Sequence, residues 1–464
     1  MDLNKDFVIV RHEYIGSIIW SRKLDRYYLV DKDYQVDFNL VLARKNDGQS
    51  GDTIYVNLND SFVKELKYLG FGGTIKEIKS DYKDCLSAPL DVYFDYTWNC
   101  NLQCSYCYNR DVSRNITMSK ENITKVLSEL AKNGVMRTHL AGGEPLINLE
   151  TLEHYLSNAD KLGMRVSVNC NGTIFSDDIA DVLFGYNLVS LTFSLDGHTQ
   201  NLHDYYRGKG CFERVIDNVK KAVMKKLEYD SLTRIQLKAV WSDYTPTEHI
   251  LGLVDLAVEL GADVMQFHNP ERCVYHESSH YSNDKHIKGY YENAFYIRKL
   301  QSEYKDKIQI WNIWNPLVGC GEIGLPNSHG CIGGQELFTI NPNGDMNPCL
   351  MNPYDFGNLF KDWDGDLSNF LKKSEKLKSF QNVVSKDDGQ CSDCTFHPKC
   401  RGGSKTRVLV KNGYNPNDDV SLEALKGIDP LCPKDFIEKN PLGNWEVSCS
   451  DLTHFKAINV THSL

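Results

Sequence analysis

Cys100-Asn-Leu-Gln-Cys104-Ser-Tyr-Cys107 places three thiols on one short loop, directly after a strand-like run at Asp91–Thr97. Three thiolates spaced this way can hold three irons of a cubane cluster and leave its fourth iron without a protein ligand. A zinc site would want four ligands. Outward from this loop, strand and helix alternate. Asp91–Thr97, Val135–Ala141, Met164–Asn169, Leu188–Leu195, Arg234–Val240 and Asp263–His268 read as strands. Amphipathic segments around Lys120–Asn133, Glu150–Leu162, Phe212–Lys226 and Thr247–Leu260 separate them. Repeated βα units imply a parallel sheet. Six of them suit a partial barrel, with the chemistry at the carboxyl ends of its strands.

The chain has 464 residues, and its 52 Lys plus Arg against 62 Asp plus Glu give a net charge of −10. With no basic block, nucleic acid is not the expected partner. No apolar run reaches a membrane-spanning length, so no membrane association is expected. The opening MDLNKDFVIVRHEY has no secretory pattern, and a cytoplasmic location is expected. In a reducing compartment, clustered cysteines read as metal ligands or catalytic groups rather than disulfides. Of the 15 cysteines, 100, 104 and 107 form one group, and 320, 331, 349, 391, 394, 400, 432 and 449 form a second, looser one. Cys85, Cys170, Cys211 and Cys273 are scattered and read as small buried side chains.

The flanks of the alternating region differ from it. In residues 1–85, Ser17–Arg22 and Tyr27–Val30 read as a hairpin, and Val36–Leu42 and Phe62–Leu69 as helices. Together they make a small α+β module. Residues 311–464 are rich in Gly, Pro, Asn and Cys. A segment of that composition buries little apolar surface, and bound metal would supply what its core lacks.

The Cys100–Cys107 loop resembles the signature of the radical S-adenosylmethionine (SAM) superfamily. Ala141-Gly-Gly-Glu-Pro145, at the end of the second strand, is similar to that family's GGEP motif. The resemblance implies a partial (β/α)6 barrel over residues 86–310. There a 4Fe-4S cluster on Cys100, Cys104 and Cys107 chelates SAM and cleaves it reductively to methionine and a 5′-deoxyadenosyl radical. It further implies that Gly142, Gly143 and Glu144 bind the methionyl ammonium. Ser194 and Arg207 would hold the SAM carboxylate, Asn169 and Thr173 the ribose, and Tyr108 would line the adenine pocket.

Cys331 is followed by a C-x12-G-x4-C pattern through Gly344 to Cys349, then by Cys391-x2-Cys394-x5-Cys400 and Cys432. This resembles the SPASM extension of radical SAM enzymes, placed here at 311–464. By that resemblance Cys320, Cys331 and Cys349 hold one auxiliary 4Fe-4S cluster, and Cys391, Cys394, Cys400 and Cys432 hold another, three clusters in all. The family pattern ends in one more cysteine, where this chain has Ser404. Either one auxiliary iron is open to a soft ligand such as a substrate thiolate, or Cys449 or another residue fills the position. The bland alternative is that Ser404 only caps a turn.

The N-terminal module resembles the winged-helix-like peptide-recognition element of maturases of ribosomally made peptides, which captures a leader by strand addition. The whole is expected to be an α/β peptide maturase, with a precursor peptide and a flavodoxin- or ferredoxin-type electron donor as partners. A cysteine thioether cross-link is the first expectation for its product. Carbon–carbon or ether cross-linking, peptide epimerisation and sulfatase formylglycine maturation use the same parts. From another class, a non-catalytic iron–sulfur peptide-binding adaptor is the alternative.

Overall fold

A computed structural model describes residues 8–13, 16–21, 26–31, 75–79, 86–109, 112–186, 188–241, 245–268, 284–313, 331–385, 391, 402–414, 419–432 and 455–457. Two sheets organise them. The smaller contains β1 (Val8–Glu13), β2 (Gly16–Ser21), β3 (Arg26–Asp31) and β4 (Ile75–Lys79). β1, β2 and β3 run antiparallel in turn, β4 lies parallel to β1, and a short strand Phe455–Ala457 runs parallel to β3 opposite Tyr27–Leu29. The hairpin read from the sequence is β2–β3, and the structure adds β1 and β4 to it. The expected helices at 36–42 and 62–69 lie outside the described residues.

This sheet is fastened to the chain leading into the larger one. Ile9, Ile18 and Trp20 pack with Leu86, Leu90 and Met136. The buried Arg11 guanidinium donates to the carbonyls of Ala88 and Pro89 at 2.6 and 2.9 Å and is neutralised by Glu13 at 2.6 Å. Glu13 in turn accepts from the Ser87 amide at 2.9 Å.

The larger sheet holds β5 (Asp91–Phe94), β6 (Arg137–Leu140), β7 (Arg165–Cys170), β8 (Ser190–Ser194), β9 (Arg234–Val240), β10 (Val264–His268), β11 (Gln309–Ile313), β12 (Leu337–Ile340) and β13 (Met346–Asn347). Its order is β11-β10-β9-β8-β7-β6-β5-β12-β13, parallel from β11 to β12 and closed by an antiparallel β13. β5 to β10 are the six strands expected from the sequence. β11 extends the sheet beyond the sixth, and β12 beyond the first.

Helices connect successive strands: α1 (Lys120–Lys132), α2 (Leu149–Lys161), α3 (Asp177–Gly185), α4 (Gln200–Arg207), α5 (Cys211–Glu228), α6 (Thr247–Glu259) and α7 (Asp284–Glu303). Their starts are written in the sequence. Ser119, Asn148 and Ser176 cap α1, α2 and α3, accepting from the amides of Asn122, Thr151 and Ile179. After β13 come α8 (Leu367–Lys373), α9 (Glu375–Ser385) and α10 (Lys405–Lys411). Among the described residues, no helix is long and apolar enough to cross a membrane.

Side-chain alternation along the strands separates two faces. Val92, Phe94, Leu140, Val168, Leu191, Phe193, Leu237, Met265 and Phe267 join the helices in one large apolar core. The alternate residues are polar yet buried: Asp91, Arg137, His139, Ser167, Thr192, Gln236 and Gln266. Several of them pair with one another, while Asp91 Oδ2 and the Ser167 hydroxyl make no hydrogen bond among the described residues. Thr192 donates to Gln236 at 3.0 Å, His268 meets Gln266 at 3.2 Å, and His139 Nε2 lies 3.0 Å from Asp91 Oδ1. A buried polar sheet face is tolerated only where such a network exists, and here it lines the concave side. The carboxyl ends of β5 to β9 all deliver loops to one rim of this concavity.

Candidate active site

The Cys loop and the GGEP turn are knitted together by main-chain bonds. The Gly143 amide donates to the Thr97 carbonyl at 2.9 Å, and the Glu144 amide to the Asn99 carbonyl at 2.7 Å. Gly142 has φ +87°, a conformation glycine adopts without strain. A methyl group on Gly143 would sit 2.2 Å from the Asn99 carbonyl oxygen and 2.5 Å from the Trp98 carbonyl carbon. Backbone cannot retreat as a side-chain tip can. Gly143→Ala is therefore expected to destabilise the fold by about 3 kcal/mol and to pull the turn away from the thiol loop. Thermal denaturation, with iron content after reconstitution, checks this.

Cys100, Cys104 and Cys107 are all half-buried and free. Burial pushes the Cys104 thiol up to about 11, and the other two thiols, each raising it further, are near enough to be felt. Burial raises Cys100 too. Metal binding, which takes thiolates, must therefore drive these protons off. Two N–H groups address the Cys100 sulfur, Leu102 N at 3.5 Å and Asn171 Nδ2 at 3.9 Å. Such hydrogen bonds tune iron–sulfur clusters. Among the described residues, no three Cys, His, Asp or Glu side chains are gathered as closely as a single metal ion needs. Thiolates each bound to a different iron stand farther apart than that.

Glu144 is buried beside this loop. Its two oxygens accept from the Leu146 amide at 3.0 Å and the Asn171 amide at 2.7 Å. Burial raises its carboxyl to about 7, against the pull of those two amides and of Arg207. Each oxygen keeps a lone pair for a further donor. The Tyr108 hydroxyl accepts from the Gly142 amide at 3.3 Å, so Tyr108 underpins the same turn.

Across the rim, Asp196 organises the end of β8. Tyr106 and the Arg207 Nε both donate to Asp196 Oδ2, and the Val240 amide donates to Oδ1 at 3.0 Å. Burial would raise this carboxyl, but the Arg207 guanidinium and the Tyr106 hydroxyl outweigh it and hold it below the usual range. The guanidinium lies over the Tyr106 ring, 5.6 Å from its centroid. Only its Nε is used by a described residue, so the two terminal nitrogens remain for a carboxylate, which suits their fork. Ser194 pairs in register with Lys238 of β9. Burial, and then Arg207, bring the Lys238 ammonium down to about 8. Two cations thus share one fully engaged anion, an arrangement that favours an anionic ligand group.

The other residues singled out from the sequence are placed as follows. Ser194 donates to the Cys170 carbonyl at 3.2 Å, and Asn169 to the Leu140 carbonyl at 3.1 Å. Thr173 donates to Asn171 Oδ1 at 2.7 Å and accepts from Asn101 Nδ2 at 2.9 Å. Its hydroxyl is thereby committed to bracing the Cys loop. Sequence reasoning passed over Tyr106, Asp196, Asn171 and Lys238. The last had a signal, since Arg-Ile-Gln-Leu-Lys puts a charge on the polar face of a buried strand. Asp95, on the chain leaving β5, was also passed over. Its carboxyl is buried, and burial pushes it well above the ordinary range against the pull of the Ala141 backbone.

In the C-terminal part, Cys331, Cys349, Cys391 and Cys432 are half-buried, while Cys320, Cys394, Cys400 and Cys449 lie outside the described residues. Gly344, with φ +91°, turns the chain between β12 and β13, and a methyl there would meet Phe360 at 2.6 Å. Ser404 is the N-cap of α10, its oxygen accepting from the Arg407 amide at 3.4 Å. Asp429 accepts from the Ser404 amide at 2.7 Å, pairs with Arg407 at 2.5 Å, and through its carbonyl accepts from the Cys432 amide at 2.9 Å. One buried residue, Asp429, thus locks the turn at 404 to Cys432, through its carboxylate on one side and its carbonyl on the other. Cys170 and Cys211 are buried, as small side chains.

The Radical SAM superfamily model matches residues 96–235, and the SPASM iron–sulfur cluster-binding domain model matches residues 331–395. The chain carries a radical SAM domain followed by a SPASM domain. It is 24% identical to a cysteine-type anaerobic sulfatase-maturating enzyme of Clostridium novyi, over 74% of this chain and 92% of that one. It is also 24% identical to the mycofactocin maturase MftC of Mycolicibacterium smegmatis, over 80% of this chain and 91% of MftC. Its fold is similar to that of Streptococcus suis SuiB bound to S-adenosylmethionine, with TM-score 0.65 at 16% identity, over 89% of this chain and 98% of SuiB.

SAM and 4Fe-4S clusters are the cofactors these domains imply. The radical SAM rim fits them. It presents three thiols on one loop, a buried carboxylate in a glycine turn, and opposite them two cations, Arg207 and Lys238, that share the single carboxylate of Asp196.

Proposed function

We propose that this radical SAM enzyme matures a ribosomally made precursor peptide by installing a thioether from a Cys sulfur to a carbon of another residue. Residues 1–85 would hold the leader, 86–310 would carry the radical chemistry, and 311–464 would carry two auxiliary clusters. Cys100, Cys104 and Cys107 would bind the catalytic cluster. Glu144 with Gly142 and Gly143 would take the SAM ammonium, and Arg207, Ser194 and Lys238 its carboxylate. When bound, the cluster and SAM supply a 5′-deoxyadenosyl radical that removes a hydrogen atom from carbon. The chain's own part is to orient and to exclude water.

Support for a peptide substrate comes from the small sheet ahead of the barrel. A three-stranded antiparallel meander can accept an extended peptide as an added strand. Addition along the outer side of β3 would displace the short Phe455–Ala457 strand that lies there. A structure of SuiB bound to its precursor peptide SuiA, 18% identical over 89% of this chain, has the same overall fold at TM-score 0.64. The sulfatase-maturating relative is almost wholly spanned by three-quarters of this chain, which leaves this chain with a surplus.

The observation carrying the thioether is Ser404. Its hydroxyl faces the α10 amides as a helix cap, so the family's last cysteine ligand is replaced by a group already in use. An auxiliary iron left open would take a soft thiolate. Ser404→Cys tests this. It is expected to cost about 1 kcal/mol in capping, to leave SAM cleavage intact, and to lower cross-link yield at least tenfold by filling the open position. Undiminished cross-linking in Ser404→Cys would sink the open-iron reading.

A further inference from the structure

Tyr291 on α7 is fully buried, and a phenol so placed needs a partner for its hydroxyl. It donates to the Leu431 carbonyl at 2.6 Å, at the short end of the range for such bonds and across 140 residues of chain. That carbonyl belongs to the peptide unit that carries Cys432. The amide at the other end of the same unit, that of Cys432, donates to the Asp429 carbonyl at 2.9 Å. The Leu431 amide donates to the Asp429 carboxylate, also at 2.9 Å. The peptide leading into Cys432 is therefore held at its oxygen and at its nitrogen.

Both sides of this arrangement are rigid. The Tyr290 ring stacks on Trp241 at 5.1 Å with the planes 11° apart, and Trp241 directly follows β9. One turn further along α7, Asn293 donates to the Thr245 carbonyl at 2.9 Å, just ahead of α6. Tyr291 thus projects from a stretch of helix fixed to the carboxyl ends of the barrel strands. On the other side, Gly403 packs so closely on Asp429 that a methyl there would fall 2.1 Å from the carboxylate. A line of buried contacts runs from the barrel rim through α7 to the peptide of Cys432.

We infer that Tyr291 is a positioning residue for the auxiliary cluster at Cys432, its hydroxyl holding the ligand's peptide in fixed register with the barrel. The inference rests on the reading of Cys432 as a cluster ligand. Partners one bond beyond a metal ligand orient that ligand and tune the metal, and hydrogen bonds around a cluster set its potential. Without the hydroxyl, the Leu431 carbonyl loses its donor in a buried site. The negative end of that carbonyl then stands less compensated beside the ligand, which disfavours an added electron.

The test uses reconstituted holoenzyme and a redox titration followed by electron paramagnetic resonance. The signal of the Cys432 cluster is identified as the one lost or altered in Cys432→Ala, and that of the catalytic cluster as the one lost in Cys104→Ala. Tyr291→Phe keeps the ring and its packing. It is expected to shift the Cys432 cluster at least about threefold toward the oxidised form at a given potential, and to leave the catalytic cluster and SAM cleavage unmoved. Loss of the Cys432 cluster in Tyr291→Phe, with circular dichroism unchanged, would support the inference as well. A variant that only melts earlier, with the Cys432 signal unshifted, would overturn it, because the bond would then serve the fold alone. Cys432→Ala with every auxiliary signal intact would sink the ligand reading, and the inference with it.

Discussion

Cys104→Ala is expected to abolish reductive SAM cleavage and peptide modification together. Cys104 is the central thiol of the loop, half-buried and close to the other two. Without it one cluster iron has no protein bond, and two thiolates are too few to fix a cubane that must also leave one iron open for a ligand. The fold itself should survive, because a half-buried thiol contributes little packing, within about 1 kcal/mol. The checks are iron and sulfide content, the cluster's visible absorbance, and 5′-deoxyadenosine by chromatography. Circular dichroism shows that the loss is not unfolding. Retained 5′-deoxyadenosine formation would mean that the cluster sits elsewhere.

Arg207→Met is expected to have the next largest effect, on stability and SAM binding at once. Arg207 and Asp196 are a buried pair, and the Tyr106 hydroxyl shares the same carboxylate oxygen. Removing the cation leaves a buried anion uncompensated, at a cost of about 3–5 kcal/mol. The pH dependence has a definite sign. In the wild type the Asp196 carboxyl is held below its ordinary value: burial raises it, and Arg207 and Tyr106 more than reverse that. Its contribution is therefore present above the unfolded carboxyl value near about 3.9 and is lost as pH falls through the lower folded value. In Arg207→Met burial prevails and the carboxyl rises, so stability should fall as pH climbs through the acidic range. Adding Asp196→Asn should restore much of the stability but not SAM affinity, which separates the two roles. Thermal denaturation across pH and calorimetric SAM binding make the comparison.

Much of this was legible in the sequence because it is local. Leu188–Leu195 and Arg234–Val240 announce buried strands by β-branched and apolar alternation, and Ser119, Asn148 and Ser176 announce helix starts by their capping chemistry. The Cys loop and the GGEP turn are contiguous motifs. What was not legible depends on distant partners. Val8–Glu13 becomes a strand because β2 and β4 pair with it on both sides. Leu337–Ile340 reads as a strand, but not as one that joins β5 across some 240 residues of chain. Asp196 and Tyr106 acquire meaning only when β8 brings one against the other. That Ser404 stands where the family has a cysteine is legible in the sequence, but that its hydroxyl is taken up as the cap of α10 is not.

The central claim is that SAM-derived radical chemistry here closes a peptide cysteine into a thioether. The most direct measurement incubates reconstituted enzyme with SAM, reductant and the cysteine-containing peptides encoded beside its gene, then weighs each peptide before and after thiol alkylation. The account predicts formation of 5′-deoxyadenosine with loss of two hydrogens per link and a cysteine now closed to alkylation. SAM cleavage with every peptide unchanged in mass, or lightened peptides whose thiols all remain free, would contradict it.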